Sequence, residues 1–108
     1  MTESEFETLA DSTLAALERS LEATGLDIDL QTKDGGVLEI EFADGSKMIV
    51  NRHGAAREIW IAARSGGFHF RREAGVWRDS RSGDELFAAA SKLVSEQSGT
   101  PVLLTPGG

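Results

Sequence analysis

The chain has 108 residues and a mass of 11.6 kDa, which is enough for one domain over residues 1–108 with a single core. It contains no cysteine, so thiolate catalysis, cysteine-ligated zinc or iron–sulfur clusters and disulfide frameworks are excluded, and a reducing compartment fits. Eighteen acids against eleven bases give a net charge of -7, which repels phosphate backbones and anionic lipid; nucleic acid and membrane are poor partners. No apolar run is long enough to span a bilayer, and the acidic opening Met1-Thr2-Glu3-Ser4-Glu5 is unlike a secretory leader, so a cytoplasmic location is expected. The charge is lopsided: residues 1–46 carry -10 and residues 47–108 carry +3.

Residues 4–24 read as an amphipathic helix with Phe6, Leu9, Ala10, Leu14, Leu17 and Leu21 on its inner face and Gly25 as its stop. The period then changes to two. Leu26, Ile28 and Leu30 alternate with Asp27, Asp29 and Gln31, and Leu38, Ile40 and Phe42 resume the pattern after the Asp34-Gly35-Gly36 turn. A third strand runs from Lys47 to Asn51, and a fourth from Glu58 to Ala63 with Ile59 and Ile61 inward. Gly66 and Gly67 are read as a turn into a strand at Phe68–Arg71, followed by another at Val76–Asp79 with Trp77 as core or edge packing. Residues 83–98 return to helical spacing, with Leu86, Phe87, Ala90, Leu93 and Val94 inside, Ser82 as expected N-cap and Gly99 as stop. Val102, Leu103 and Leu104 are expected to fill the groove between the helices, and only the last few residues to be disordered. Helix, about six antiparallel strands, helix is the pattern of an α+β two-layer sandwich whose helices cover one face of the sheet and leave the other open.

The chemistry is concentrated at the acidic end. Glu3, Glu7, Asp11, Glu18 and Glu22 share one stripe of the first helix, and Asp27 and Asp29 extend it. Carboxylates are hard oxygen donors, suited to ferrous or ferric iron and to other divalent cations, and without thiolate or imidazole they hold them weakly. A merely solubilising face is the plainer reading of the same stripe. Strict alternation turns Trp60 to the open face beside Asn51 and Ile49, as in a binding patch; a one-residue slip would bury it instead. His53 and His69 have no thiol, phosphate loop or metal-ligand spacing near them, so an enzyme is not expected; a surface or satisfied residue is the plainer reading of each, and single-imidazole haem ligation is the functional alternative. A ferroxidase would need inward-facing acids for a di-iron pair, and the pattern shows none.

The blocks DGGVLEIEFADGSKMIVNR (34–52), EIWIAARSGGFHF (58–70) and VWRDSRSGDELF (76–87), following the acidic opening SEFETLAD (4–11), resemble the frataxin family, most closely its bacterial branch. The resemblance implies the two-layer frataxin fold, weak iron binding on an acidic ridge and a role in iron–sulfur cluster assembly. It implies cysteine desulfurase and the scaffold protein as partners, with the bacterial members as regulators of the desulfurase. It also implies a monomer without metal and the possibility of iron-dependent oligomers. By position, Glu18, Glu22, Asp27 and Asp29 form the ridge, with Glu3, Glu7 and Asp11 outlying. Trp60 and Asn51, with Glu18 and Glu22, form the partner surface, which favours an outward Trp60. Arg19 and Ala23 stand where bacterial relatives commonly carry acids, so the ridge is thinned.

Overall fold

The computed structural model describes residues 1–107. Its first element, α1 (Glu3–Ala23), starts with a capping box: the Glu5 amide donates to the Thr2 hydroxyl, and the Thr2 amide donates to the Glu5 carboxylate. It ends where the Thr24 hydroxyl bonds the Leu21 carbonyl and Gly25 takes a φ of 73°, a region costly for a side chain with a Cβ. The predicted stripe is buried, with Leu9 only partly so; Ala16 and Ser20 join it.

Six strands follow: β1 (Ile28–Lys33), β2 (Val37–Phe42), β3 (Lys47–His53), β4 (Glu58–Ala63), β5 (Gly66–Glu73) and β6 (Val76–Asp79), then α2 (Leu86–Ser98). They pair antiparallel in chain order, a meander with no crossover. Leu38, Ile40, Phe42, Met48, Val50, Ile59, Ile61, Phe70 and Trp77 point to one face and meet Phe6, Leu14, Leu17 and Leu21 of α1 and Leu86, Phe87, Leu93 and Val94 of α2 in one core. Both helices therefore cover the same face, as expected. Trp77 is core: its indole N–H donates to the Thr13 hydroxyl at 2.9 Å, and its ring meets Phe6 edge-on with centroids 6.0 Å apart.

Several expectations are corrected. Strand β3 continues to His53, two residues beyond the predicted end, because Arg52 and His53 still pair with Ile59 and Glu58. Gly66 and Gly67 lie inside β5, opposite Ala63 and Ala62, and the turn is the Arg64-Ser65 pair. Ser82 does not cap α2. The Asp79 carboxylate accepts from the Arg81 and Ser82 amides and from the Ser82 hydroxyl, closing a turn of its own, and Glu85 becomes the N-cap, accepting from the Phe87 and Ala88 amides. Gly99 stops α2 as expected.

The tail packs between the helices, but through hydrogen bonds as much as apolar contact. Amides of Val102, Leu104 and Thr105 donate to the hydroxyls of Ser95, Ser91 and Ser20. Leu104 is buried and Val102 partly so, whereas Leu103 is 79% exposed, because an extended segment turns alternate side chains outward. Of the disorder expected at the very end, Gly108 lies outside the described residues. Among the described residues no helix is long and apolar enough to cross a membrane.

Leu17 is fully buried in the middle of α1. Leu17→Ala is expected to cost about 2–4 kcal/mol by leaving a cavity under the sheet, measured by urea denaturation; an unchanged midpoint would contradict this packing.

Candidate functional site

The acids of the first 46 residues divide into those with cationic partners and those without. Asp11 accepts from the Arg52 guanidinium at 3.1 Å, Glu39 lies between Lys33 (2.7 Å) and Lys47 (3.0 Å), and Asp44 pairs with Arg64. Among the described residues, Glu3, Glu7, Glu18, Glu22, Asp27 and Asp29 enter no ion pair. Glu18 and Glu22 are one helical turn apart on α1. Glu18 borders a shallow groove with Asp11, Thr32, Lys33 and Arg52, where α1 crosses the β1–β2 edge.

The seven predicted metal-ligating acids do not form one site. Glu3 and Glu22 sit at opposite ends of α1, about 28 Å apart at the helical rise. Asp27 precedes β1 in a different hollow, shared with Phe42, Asp44, Gln97 and Thr100. Asp29 lies on β1 opposite the exposed Glu41, in alternation with the half-buried Ile28 and Leu30, and so faces the open side of the sheet. Among the described residues no three carboxylate or imidazole side chains converge as a metal cluster. The result is a strip of separated carboxylates, exposed except for the half-buried Glu18, and Asp11 is tied to Arg52 and is not a bare outlier.

Open-face residues form the second feature. Trp60 is flanked in register by Asn51 on β3 and His69 on β5. Its ring is sandwiched: the His53 imidazole stacks at 3.9 Å and 10°, and that of His69 at 4.3 Å and 12°. Trp60 is consequently half-buried although it faces away from the core, and the register question is settled in favour of the outward position. Ile49, 37% exposed, lies diagonally beside it. The His53 Nδ1 accepts from the Ala56 amide at 3.3 Å. Both imidazoles predicted as haem ligands thus stack face-on against Trp60.

Two residues that sequence reasoning passed over complete this face. Glu58 is 7% exposed, and its carboxylate accepts from the Trp60 indole N–H at 2.8 Å and from Arg71 at 2.9 Å. Burial pushes its ionisation up, but the indole and the guanidinium outweigh that, so its pKa lies below the ordinary glutamate value. The available signal was the spacing of Glu58 and Trp60, two residues apart on one strand face.

Residues 1–100 match the family model described as the frataxin-like domain. The chain belongs to the frataxin family. It is 53% identical over 104 residues to the iron-sulfur cluster assembly protein CyaY of Dechloromonas aromatica, covering 96% of this chain and 99% of the relative. It is 48% identical over 106 residues to the CyaY of Paraburkholderia phymatum, covering 98% and 100%. Among solved structures, the frataxin of Psychromonas ingrahamii, of the CyaY family, superposes with a TM-score of 0.89 at 34% identity over 97% of this chain and 99% of that one. A trimeric yeast frataxin complexed with ferrous iron superposes at 0.72 with 24% identity, covering 84% and 86%, and at that distance supports the fold alone. In this frataxin the six-stranded meander under two helices is the family frame, with the acidic strip and the Trp60 stack mounted on it.

Two predictions arise from these charges. Asp44 has its pKa drawn from 3.8 down to about 2, first by the Ser46 hydroxyl and amide and then by Arg64. A carboxylate with a depressed folded pKa stabilises the fold above its ordinary value, and this is lost as pH falls from 3.8 to about 2. Asp44→Asn should therefore flatten the melting-temperature profile in that window, and an unaltered acid limb would refute the pairing. Bare like charges repel, so sodium or magnesium chloride should raise the melting temperature of the native chain, whereas Glu18→Gln/Glu22→Gln should raise it at low salt and reduce the salt response. A salt response identical in the two proteins would contradict this.

Proposed function

We propose that this frataxin serves iron–sulfur cluster assembly by presenting weakly held iron and by docking on the cysteine desulfurase and its scaffold protein, so as to modulate sulfur release in response to iron. The observation that carries the reading is the strip of Glu18, Glu22, Asp27 and Asp29, none of which has a basic partner, in a chain that places bases against Asp11, Glu39, Asp44 and Glu58. Fields of uncompensated carboxylate attract cations and basic surfaces alike. The two relatives named as iron-sulfur cluster assembly proteins align over nearly their whole length, which supports the same process for this chain.

In this reading iron is cargo. Ferrous or ferric ions meet separated oxygen donors without imidazole or thiolate, which favours exchange over storage; manganese, magnesium and calcium would compete for the same oxygens. Glu18 and Glu22 are the first contact, with Asp27 and Asp29 beside the sheet edge, and Glu3 and Glu7 extending the field. Trp60 and Asn51 form the apolar and polar centre of a second docking surface. The protein performs no chemical step itself, works in the cytoplasm, and is a monomer until ions bridge the strips of neighbouring copies.

The absence of a three-carboxylate cluster among the described residues favours a second reading, in which the strip docks on a basic surface of the desulfurase and iron is incidental. The readings separate in one series. Titration with ferrous iron, followed by amide NMR, should broaden Glu18, Glu22, Asp27 and Asp29 first; no perturbation there would end iron delivery by this strip. Glu18→Lys/Glu22→Lys should abolish desulfurase capture with and without iron, and capture by wild type should weaken at high ionic strength. Retained capture by the double variant would end docking through the strip. Trp60→Arg should weaken the complex and lower the melting temperature only moderately, because the side chain lies outside the core but its loss breaks two stacks and takes a donor from the buried Glu58.

A further inference from the structure

We infer that Glu58 is the positioning residue for Trp60, and that with His53 and His69 it holds the indole in one orientation for docking. The inference rests on the open-face docking reading above and names what sets the geometry of that surface. Glu58 is 7% exposed on a face otherwise open to solvent, and a carboxylate removed from water is costly unless its oxygens are matched. Here each oxygen has a donor: the indole N–H of Trp60 on Oε1 at 2.8 Å and the Arg71 guanidinium on Oε2 at 2.9 Å. Arg71 stands directly opposite Glu58 on β5 and steers the second oxygen, while the first reaches along β4 to the residue two positions on.

The rings complete the restraint. His53 on β3 and His69 on β5 cover the two faces of the indole nearly in parallel, so rotation about its side-chain bonds would break a hydrogen bond and two stacks together. An aromatic side chain that is already ordered loses less freedom on association than one free to swing. What the face offers a partner is then a fixed edge of three stacked rings, with Asn51 across from it and Ile49 diagonally beside it. Glu58 acts through Trp60 and need not touch the partner.

Trp77, whose indole N–H is bonded to the Thr13 hydroxyl, serves as an internal control on the same chain. In Glu58→Ala, the indole N–H resonance of Trp60 should shift and its hydrogen exchange quicken while that of Trp77 holds. Affinity for the purified desulfurase–scaffold complex should fall about three- to tenfold, the scale of re-ordering one side chain at an interface. Glu58→Gln, whose amide oxygen still accepts from the indole, should restore both readouts. If Glu58→Ala fails to fold, the surface double variant His53→Ala/His69→Ala should quicken the same exchange and weaken the same complex. An unmoved Trp60 indole signal in the alanine variants overturns the inference, as does a moved signal with unchanged affinity in a system where Trp60→Arg does lose affinity. Full affinity in Trp60→Arg would instead overturn the docking reading itself, and with it any role for Glu58 in docking.

Discussion

Everything in this molecule follows from a meander that can bury only one of its faces. Six strands paired in chain order carry Leu38, Ile40, Met48, Val50, Ile59, Ile61 and Phe70 on the same side, and two helices supply the apolar stripes that cover them. With both helices committed there, nothing among the described residues covers the opposite side. Side chains on that side are left to water, to one another or to a partner. The cross-strand contacts among Glu58, Arg71, Trp60, His53 and His69 show how this protein arranges an uncovered face: polar groups are matched in pairs and the one large ring is held between two smaller ones.

Electrostatics divides the molecule along a different line. Bases of the rear half reach forward to Asp11 and Asp44, and Lys33 and Lys47 converge on Glu39, but among the described residues the remaining carboxylates of α1 and the approach to β1 stay without a basic partner. Concentrating acids at one edge raises the local cation concentration without building a cage, because a cage needs donors that converge and a helix places its acids along a line. Metal ions and basic protein surfaces are alike drawn to such a strip, since neither attraction asks for fixed ligand geometry.

The two surfaces differ in chemistry: one concentrates carboxylates, the other presents a stacked indole. Asp29, on β1, faces the open side three strands away from Trp60 on β4. The tail adds a third element of order, since Ser20, Ser91 and Ser95 let an extended segment close the groove between the helices without a further strand or helix.

The sequence alone determined the layers, the helix faces, the strand alternation and the family blocks, because each depends on a local period of apolar residues. It also set Glu18 and Glu22 one turn apart, since a stripe on a helix is a matter of residue spacing, whereas the fold put Asp27 in a separate hollow and Asp29 on the open face. The end of β3, the true turn at Arg64-Ser65 and the start of α2 at Glu85 were decided by neighbours: cross-strand pairing carried the ladder past Asn51, and the Asp79 carboxylate claimed Ser82. The same holds for the site. Whether Asp11 is bare depends on Arg52, which is 41 residues distant in the chain. The burial of Glu58 and the stacking of Trp60 depend on His53, His69 and Arg71, brought together from three strands by registers that only the assembled sheet defines.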